Sequence, residues 1–91
     1  MIKSFQHKGL RELFETGRSR KVRPDLCART LRRLDALHTA DATSELDLPG
    51  FGFHALKGRG DRFAIWVNGP WRITFEWHDG DARRVDLEQY H

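Results

Sequence analysis

Five histidines and one cysteine occur among the 91 residues, and their spacing decides which chemistries are open. There is no HExxH, no paired Cys/His spacing and no second cysteine, so no metal-binding signature organises the imidazoles. A GxSxG elbow and a phosphate-binding glycine loop are also missing, and Gly50-Phe51-Gly52 and Gly58-Arg59-Gly60 are too short for a nucleotide fingerprint. What remains is acid–base chemistry assisted by cations and needing no cofactor. RNA carries its own nucleophile, the 2′-hydroxyl. A ribonuclease therefore requires only a base for that proton, an acid for the 5′-oxygen and cations for the phosphorane, roles that His, Lys, Arg and Tyr on one face can fill. His54 with Lys57 three residues later, and the closing pair Tyr90-His91, are the groups of interest. His7, His38 and His78 fall at a helix start, a helix end and a turn, where capping or solvation accounts for them.

Those groups need elements to hold them. Ile2 to Phe5 reads as a short strand, and Leu10, Leu13 and Phe14 at helical spacing predict a helix over His7 to Thr16 with Gly17 as its C-cap. Pro24 suits the first turn of a second helix ending near Thr39, with Asp25 at its positive end and Cys27, Leu31, Leu34 and Leu37 as its inward stripe. Ala40 to Gly52 reads as an ordered loop. From Phe51 the period changes to two, predicting strands over Phe51 to Ala55, Arg62 to Asn68, Trp71 to His78 and Ala82 to Leu87. The sum is a single α+β domain over residues 1–91, with two N-terminal helices on one face of a twisted, mainly antiparallel sheet of four or five strands.

Register follows from parity. For Phe63, Ile65 and Val67 to share the core face with Trp71, Ile73 and Phe75, Val67 pairs with Trp71 around Asn68-Gly69-Pro70. The outer face then sets Trp66 opposite Arg72, where a cation–π contact is possible, and Arg62 opposite Glu76. The same reasoning around Asp79-Gly80-Asp81 pairs Phe75 with Val85, Glu76 with Arg84 and Arg72 with Glu88, and brings Tyr90 to the face of Arg72. A bulge at either turn would shift these pairs by one.

Composition sets outer limits. No apolar run approaches the ~20 residues of a membrane span, and neither a signal-peptide core nor a lipidation motif is present, so a cytoplasmic protein with no membrane partner is expected. Residues 1–40 hold ten Lys/Arg against four Asp/Glu, and residues 41–91 hold six against nine. The basic character thus belongs to the N-terminal half. Its densest tract, with Arg18, Arg20, Lys21 and Arg23, could track a polyanion or be a solvated loop.

Taken together, Ile2-Lys3-Ser4-Phe5-Gln6-His7-Lys8-Gly9-Leu10, His54-Ala55-Leu56-Lys57-Gly58, Val67-Asn68-Gly69-Pro70-Trp71-Arg72-Ile73-Thr74-Phe75 and Tyr90-His91 resemble the HigB toxins of the RelE/ParE superfamily. The segments span nearly the whole chain in the family's order. The resemblance implies a RelE-like fold and a metal-independent, ribosome-dependent mRNA interferase. It also implies a helix-turn-helix HigA-type antitoxin, the ribosome and mRNA as partners, and a catalytic set of His54, Lys57, Arg72, Tyr90 and His91.

The chain departs from the family pattern in two respects. An arginine is common at the position of Trp66 or Asn68, neither of which is basic, so Arg62 on the same face could substitute as the phosphate contact while Trp66 stacks on a base. Gln89 stands where an acidic residue often precedes Tyr-His, which leaves the general base open between His54 and His91. Two rivals follow: a ParE-like inhibitor of DNA gyrase, which needs no proton-transfer groups, and a degenerate toxin that binds RNA or antitoxin without cutting.

Overall fold

The computed structural model describes residues 1–89, so Tyr90 and His91 lie outside the described residues. In chain order the elements are α1 (Lys8–Thr16), α2 (Pro24–Thr39), a 3-10 turn (Thr43–Leu46), β1 (His54–Ala55), β2 (Arg62–Asn68), β3 (Trp71–His78) and β4 (Asp81–Gln89). The four strands form one antiparallel sheet in sequence order. Among the described residues no helix is long and apolar enough to cross a membrane.

Local chemistry accounts for the helix ends. His7 Nδ1 accepts the Leu10 amide at 3.1 Å and caps α1, whose other end closes on Gly17 at φ 85°. Pro24 begins α2 with Asp25 in its first turn. Leu10, Leu13, Leu26, Leu34 and Leu37 from the helices pack on Ile65, Val67, Ile73, Phe75 and Val85 of the sheet, all at most 1% exposed. The helices thus cover one face, and the alternate residues His54, Ala64, Arg72, Thr74 and Glu88 share the other.

The inward stripe of α2 differs from the expected one. Cys27 and Leu31 are only half-buried, and Leu26, Thr30, Arg33, Leu34 and Leu37 face inward. Arg33 is the reason. Its Nε donates to Trp66 O at 2.6 Å and its other nitrogen to Gly50 O at 3.2 Å, with the guanidinium 4.6 Å from the Phe51 ring centre. Burial, then the charges of Arg29 and Arg32, push the Arg33 pKa below its usual value. Two carbonyls and the Phe51 ring compensate that charge, and these contacts staple the Gly50–Phe51 loop to β2. Arg33→Met keeps the stem and strands both carbonyls, so a loss of about 2–3 kcal/mol in stability is expected, read as a lower urea midpoint at unchanged m.

The expected strand over Phe51 to Ala55 shrinks to His54–Ala55. Gly50 and Gly52 adopt positive φ and break the extended run, although Phe51 O still accepts the Trp66 amide at 2.6 Å. Ile2 to Phe5 is also not a continuous strand. It meets β4 in parallel at Ile2–Ala82 and Phe5–Val85, because bulged Arg84, at φ 50°, gives its amide to Ser4 Oγ instead of the ladder.

Both hairpins keep the predicted central register and slip near their turns. Arg62–Glu76, Ala64–Thr74, Ile65–Ile73 and Trp66–Arg72 pair as expected, but Asn68, not Val67, faces Trp71 across a two-residue Gly69-Pro70 turn. Arg72–Glu88 also holds, while Glu76 faces Arg83 and not Arg84. The second turn is Asp79-Gly80 with both residues at positive φ, the two-residue type that matches strand twist, and one bulge absorbs the difference.

Candidate active site

On the helix-free face, the turn after β1 overhangs β3 and the end of β4 and leaves a cleft of about 370 Å³. His54, Leu56, Lys57, Arg59, Arg72, Thr74, Glu88 and Gln89 line it. Three of the expected catalytic residues, His54, Lys57 and Arg72, are therefore brought together by separate elements. His54 comes from the edge strand and Arg72 from the centre of the sheet. Lys57 sits where the chain has left β1, which explains why parity alone did not group it with His54. Tyr90 and His91 belong to the residues outside the description.

The tautomer of His54 follows from its partners. Nδ1 lies 2.8 Å from Gly52 O, which can only accept, so Nδ1 carries the proton. Nε2 lies 3.5 Å from Arg72 NH1, which can only donate, so Nε2 presents its lone pair. The strand-breaking Gly52 thus orients the imidazole, with its basic nitrogen toward a guanidinium and the cleft. His7 and His38 are held differently. Each accepts a backbone amide through Nδ1, from Leu10 and from Ile2 at 3.1 Å, and His38 packs on Phe14, so both are structural.

Arg62, expected on the RNA-facing surface, is 8% exposed. Its guanidinium donates to Thr74 Oγ1 at 2.8 Å and Arg84 O at 3.2 Å and meets Glu76 at 3.4 Å. Parity put it on the correct face, but the turn after β1 covers that end of the face, with Leu56 N bonded to Arg62 O at 2.9 Å. Arg62 therefore sits buried beside the site and is engaged by Thr74, Arg84 O and Glu76. Trp66 is half-buried, its indole N–H donating to Gly69 O at 2.9 Å, and the cation over its ring is Arg29 at 5.8 Å instead of the expected Arg72. Asn68 is exposed at the hairpin tip.

Arg18, Arg20, Lys21 and Arg23 are exposed in the connection between α1 and α2, within the helical layer and so on the other side of the sheet from the cleft. Arg23 is engaged by Asp25 through two bonds of 3.1 and 2.9 Å. This tract is a surface of its own and not part of the cleft.

Glu88 was absent from the sequence-based set, although parity had already paired it with Arg72. Its carboxylate accepts from Thr74 Oγ1 and from Arg59 at 3.1 Å. Burial would raise its pKa, but the hydrogen bonds from Thr74 and Arg59, with the charges of Arg59 and Arg62, outweigh it and hold the carboxyl below its ordinary value. Among the described residues, the ligating atoms of Asp61, Glu76 and His78 come within 4.8 Å of one another. That group already has internal partners, with His78 2.5 Å from Asp61 and Glu76 facing Arg62 and Arg84 at 3.4 Å each.

This fold agrees with what comparison with known proteins finds. Residues 3–91 match the family of HigB-like toxins, described as RelE-like toxins of type II toxin–antitoxin systems. The chain is 44% identical to an Endoribonuclease HigB of Proteus vulgaris, with both chains covered in full. It is 31% identical to a Toxin HigB-1 of Vibrio cholerae, over 99% of this chain and 98% of the relative. With two helices on a four-stranded antiparallel sheet and a family match across nearly its whole length, the chain belongs to the HigB-like toxins of type II toxin–antitoxin systems.

Proposed function

We propose that this toxin is a metal-independent endoribonuclease that cuts mRNA on the translating ribosome by attack of the 2′-oxygen on the adjacent phosphorus. The observation that carries the reading is the placement of His54, with Nδ1 against Gly52 O and Nε2 toward Arg72, in one cleft with Lys57 and Arg72. Nε2 takes the 2′-hydroxyl proton as the 2′-oxygen bonds to phosphorus. The P–O5′ bond then breaks and the 5′-oxygen receives a proton, a role assigned to His91. Lys57 and Arg72 stabilise the negative charge of the phosphorane, and Tyr90 orients the nucleotide. The cations lining the cleft favour a phosphate over a divalent metal there, since Glu88 is already partnered.

The toxin's partner is an antitoxin, proposed to be of the helix-turn-helix HigA type. The tract Arg18, Arg20, Lys21 and Arg23 is proposed to contact ribosomal RNA phosphates, and Trp66 and Asn68 to contact the message. A toxin acting on translating ribosomes is proposed to work in the cytoplasm.

The test is incubation of the toxin with ribosomes programmed with a defined mRNA, beside the same RNA without ribosomes. Codon-phased cuts only on the ribosome, leaving a 2′,3′-cyclic phosphate and a 5′-hydroxyl, are expected. Cuts ending in a 3′-hydroxyl would refute 2′-oxygen attack, equal cutting of naked RNA would refute ribosome dependence, and intact mRNA with DNA breaks in cells would favour a gyrase inhibitor.

A further inference from the structure

The Lys57–Asp61 turn has little backbone support. Leu56 N to Arg62 O at 2.9 Å closes its base, but within it Gly58 and Gly60 flank Arg59 at φ 73° and 66°, and the internal backbone bonds, Arg59 N to Leu56 O at 3.4 Å and Arg62 N to Arg59 O at 3.3 Å, are long. Two side chains tie it down. Asp61 meets His78 at its far end, and Arg59 meets Glu88 at its middle, 3.1 Å from Oε2.

The Glu88 anchor is built in layers. Arg62 offers only donors, so Thr74 Oγ1 accepts from it at 2.8 Å and the single hydroxyl proton of Thr74 is left for Glu88. The carboxylate is thereby aimed from below before Arg59 arrives from above. Arg62, Thr74, Glu88 and Arg59 form one chain from a buried cation on β2 to the glycine-flanked turn, and Lys57 lies two residues from its end.

We propose that Glu88 is a positioning residue for Lys57: through its ion pair with Arg59 it holds the turn after β1 over the cleft and sets the Lys57 ammonium for the scissile phosphate before RNA binds. This rests on the endonuclease reading for the role of Lys57. A direct role for Glu88 as base is disfavoured because Oε2 already carries two donors, which also make the carboxylate a weaker proton acceptor. Pre-setting Lys57 acts on the chemical step more than on RNA affinity, because a displaced charge is still attractive but no longer aligned.

The test uses Glu88→Gln, the more exposed Arg59→Ala, and the double variant in the full chain. Deuterium exchange over residues 56–61 is measured together with kcat and KM on programmed ribosomes. Each single variant is expected to speed exchange in the turn and lower kcat by about 10- to 100-fold with KM little changed, and the double variant to be no worse than the poorer single one. Unchanged exchange in Glu88→Gln would overturn the proposal. So would loss of cleavage in Glu88→Gln with full cleavage in Arg59→Ala, which would make Glu88 act on the RNA itself. Should the wild-type chain cut no RNA, the endonuclease reading fails, while the exchange measurement still decides whether Glu88 holds the turn.

Discussion

Replacing His54 by alanine is expected to slow ribosome-dependent RNA cleavage by about 100- to 10,000-fold, the range for removal of a positioned general base. The size rests on orientation as well as on the imidazole. Gly52 O, 2.8 Å from Nδ1, favours the tautomer that offers Nε2 to the cleft. His54→Asn, which keeps a donor for Gly52 O but supplies no base, is expected to be as defective as alanine. His54 is exposed on a two-residue edge strand, so thermal unfolding should stay within a degree or two of wild type. Single-turnover cleavage on programmed ribosomes reads the chemical step alone, and wild-type rates in the alanine variant would end the assignment.

The second large effect is expected at Arg72. Arg72→Ala should cost on the order of 100- to 1,000-fold in cleavage, as removal of one transition-state donor does, and should relieve growth arrest when the toxin is induced without its antitoxin. Arg72 is central in the sheet, opposite Trp66 on one side and Glu88 on the other, and its backbone positions it with little freedom. Its NH1 also meets His54 Nε2, so the loss falls on phosphate charge and on imidazole placement together. Arg72→Lys restores the charge without the planar fork and should recover only part of the rate. Circular dichroism and a denaturation midpoint close to wild type distinguish a chemical defect from unfolding. Growth arrest as strong as wild type in a folded Arg72→Ala variant would remove this cleft from consideration.

The face of the sheet that carries the cleft was legible because strand parity leaves little choice. Once Ile65, Val67, Ile73 and Phe75 had to face the helices, Arg72 and Glu88 had to share the other side, and they do. Parity is silent on what covers a face. Arg62 and Arg72 have the same parity, yet one is buried beneath the turn after β1 and the other opens into the cleft. No local pattern in Lys57-Gly58-Arg59-Gly60-Asp61 says that the turn folds back over β2, because the ion pairs that draw it there come from Glu88 and His78, 29 and 17 residues away by their numbers. The hairpin slips have a similar origin. Turn chemistry at Asp79-Gly80 favours two residues over three, and the strands accommodate it by a bulge at Arg84, a compromise between local twist and core register.

The helix boundaries, the three long strands, the central register and the shared face of Arg72 and Glu88 were determined by the amino-acid sequence itself. Each depends on short-range periodicity, capping or alternation, which act over a few residues. The tertiary structure decided where charge went. It drew Arg33 inward to satisfy the carbonyls of Trp66 and Gly50 and buried Arg62 against Thr74. It also placed His54 Nδ1 against Gly52 O and gave Glu88 its place beneath Arg59. A buried charge or hydrogen-bonding group must find a partner wherever the fold presents one, and that search runs across the whole molecule.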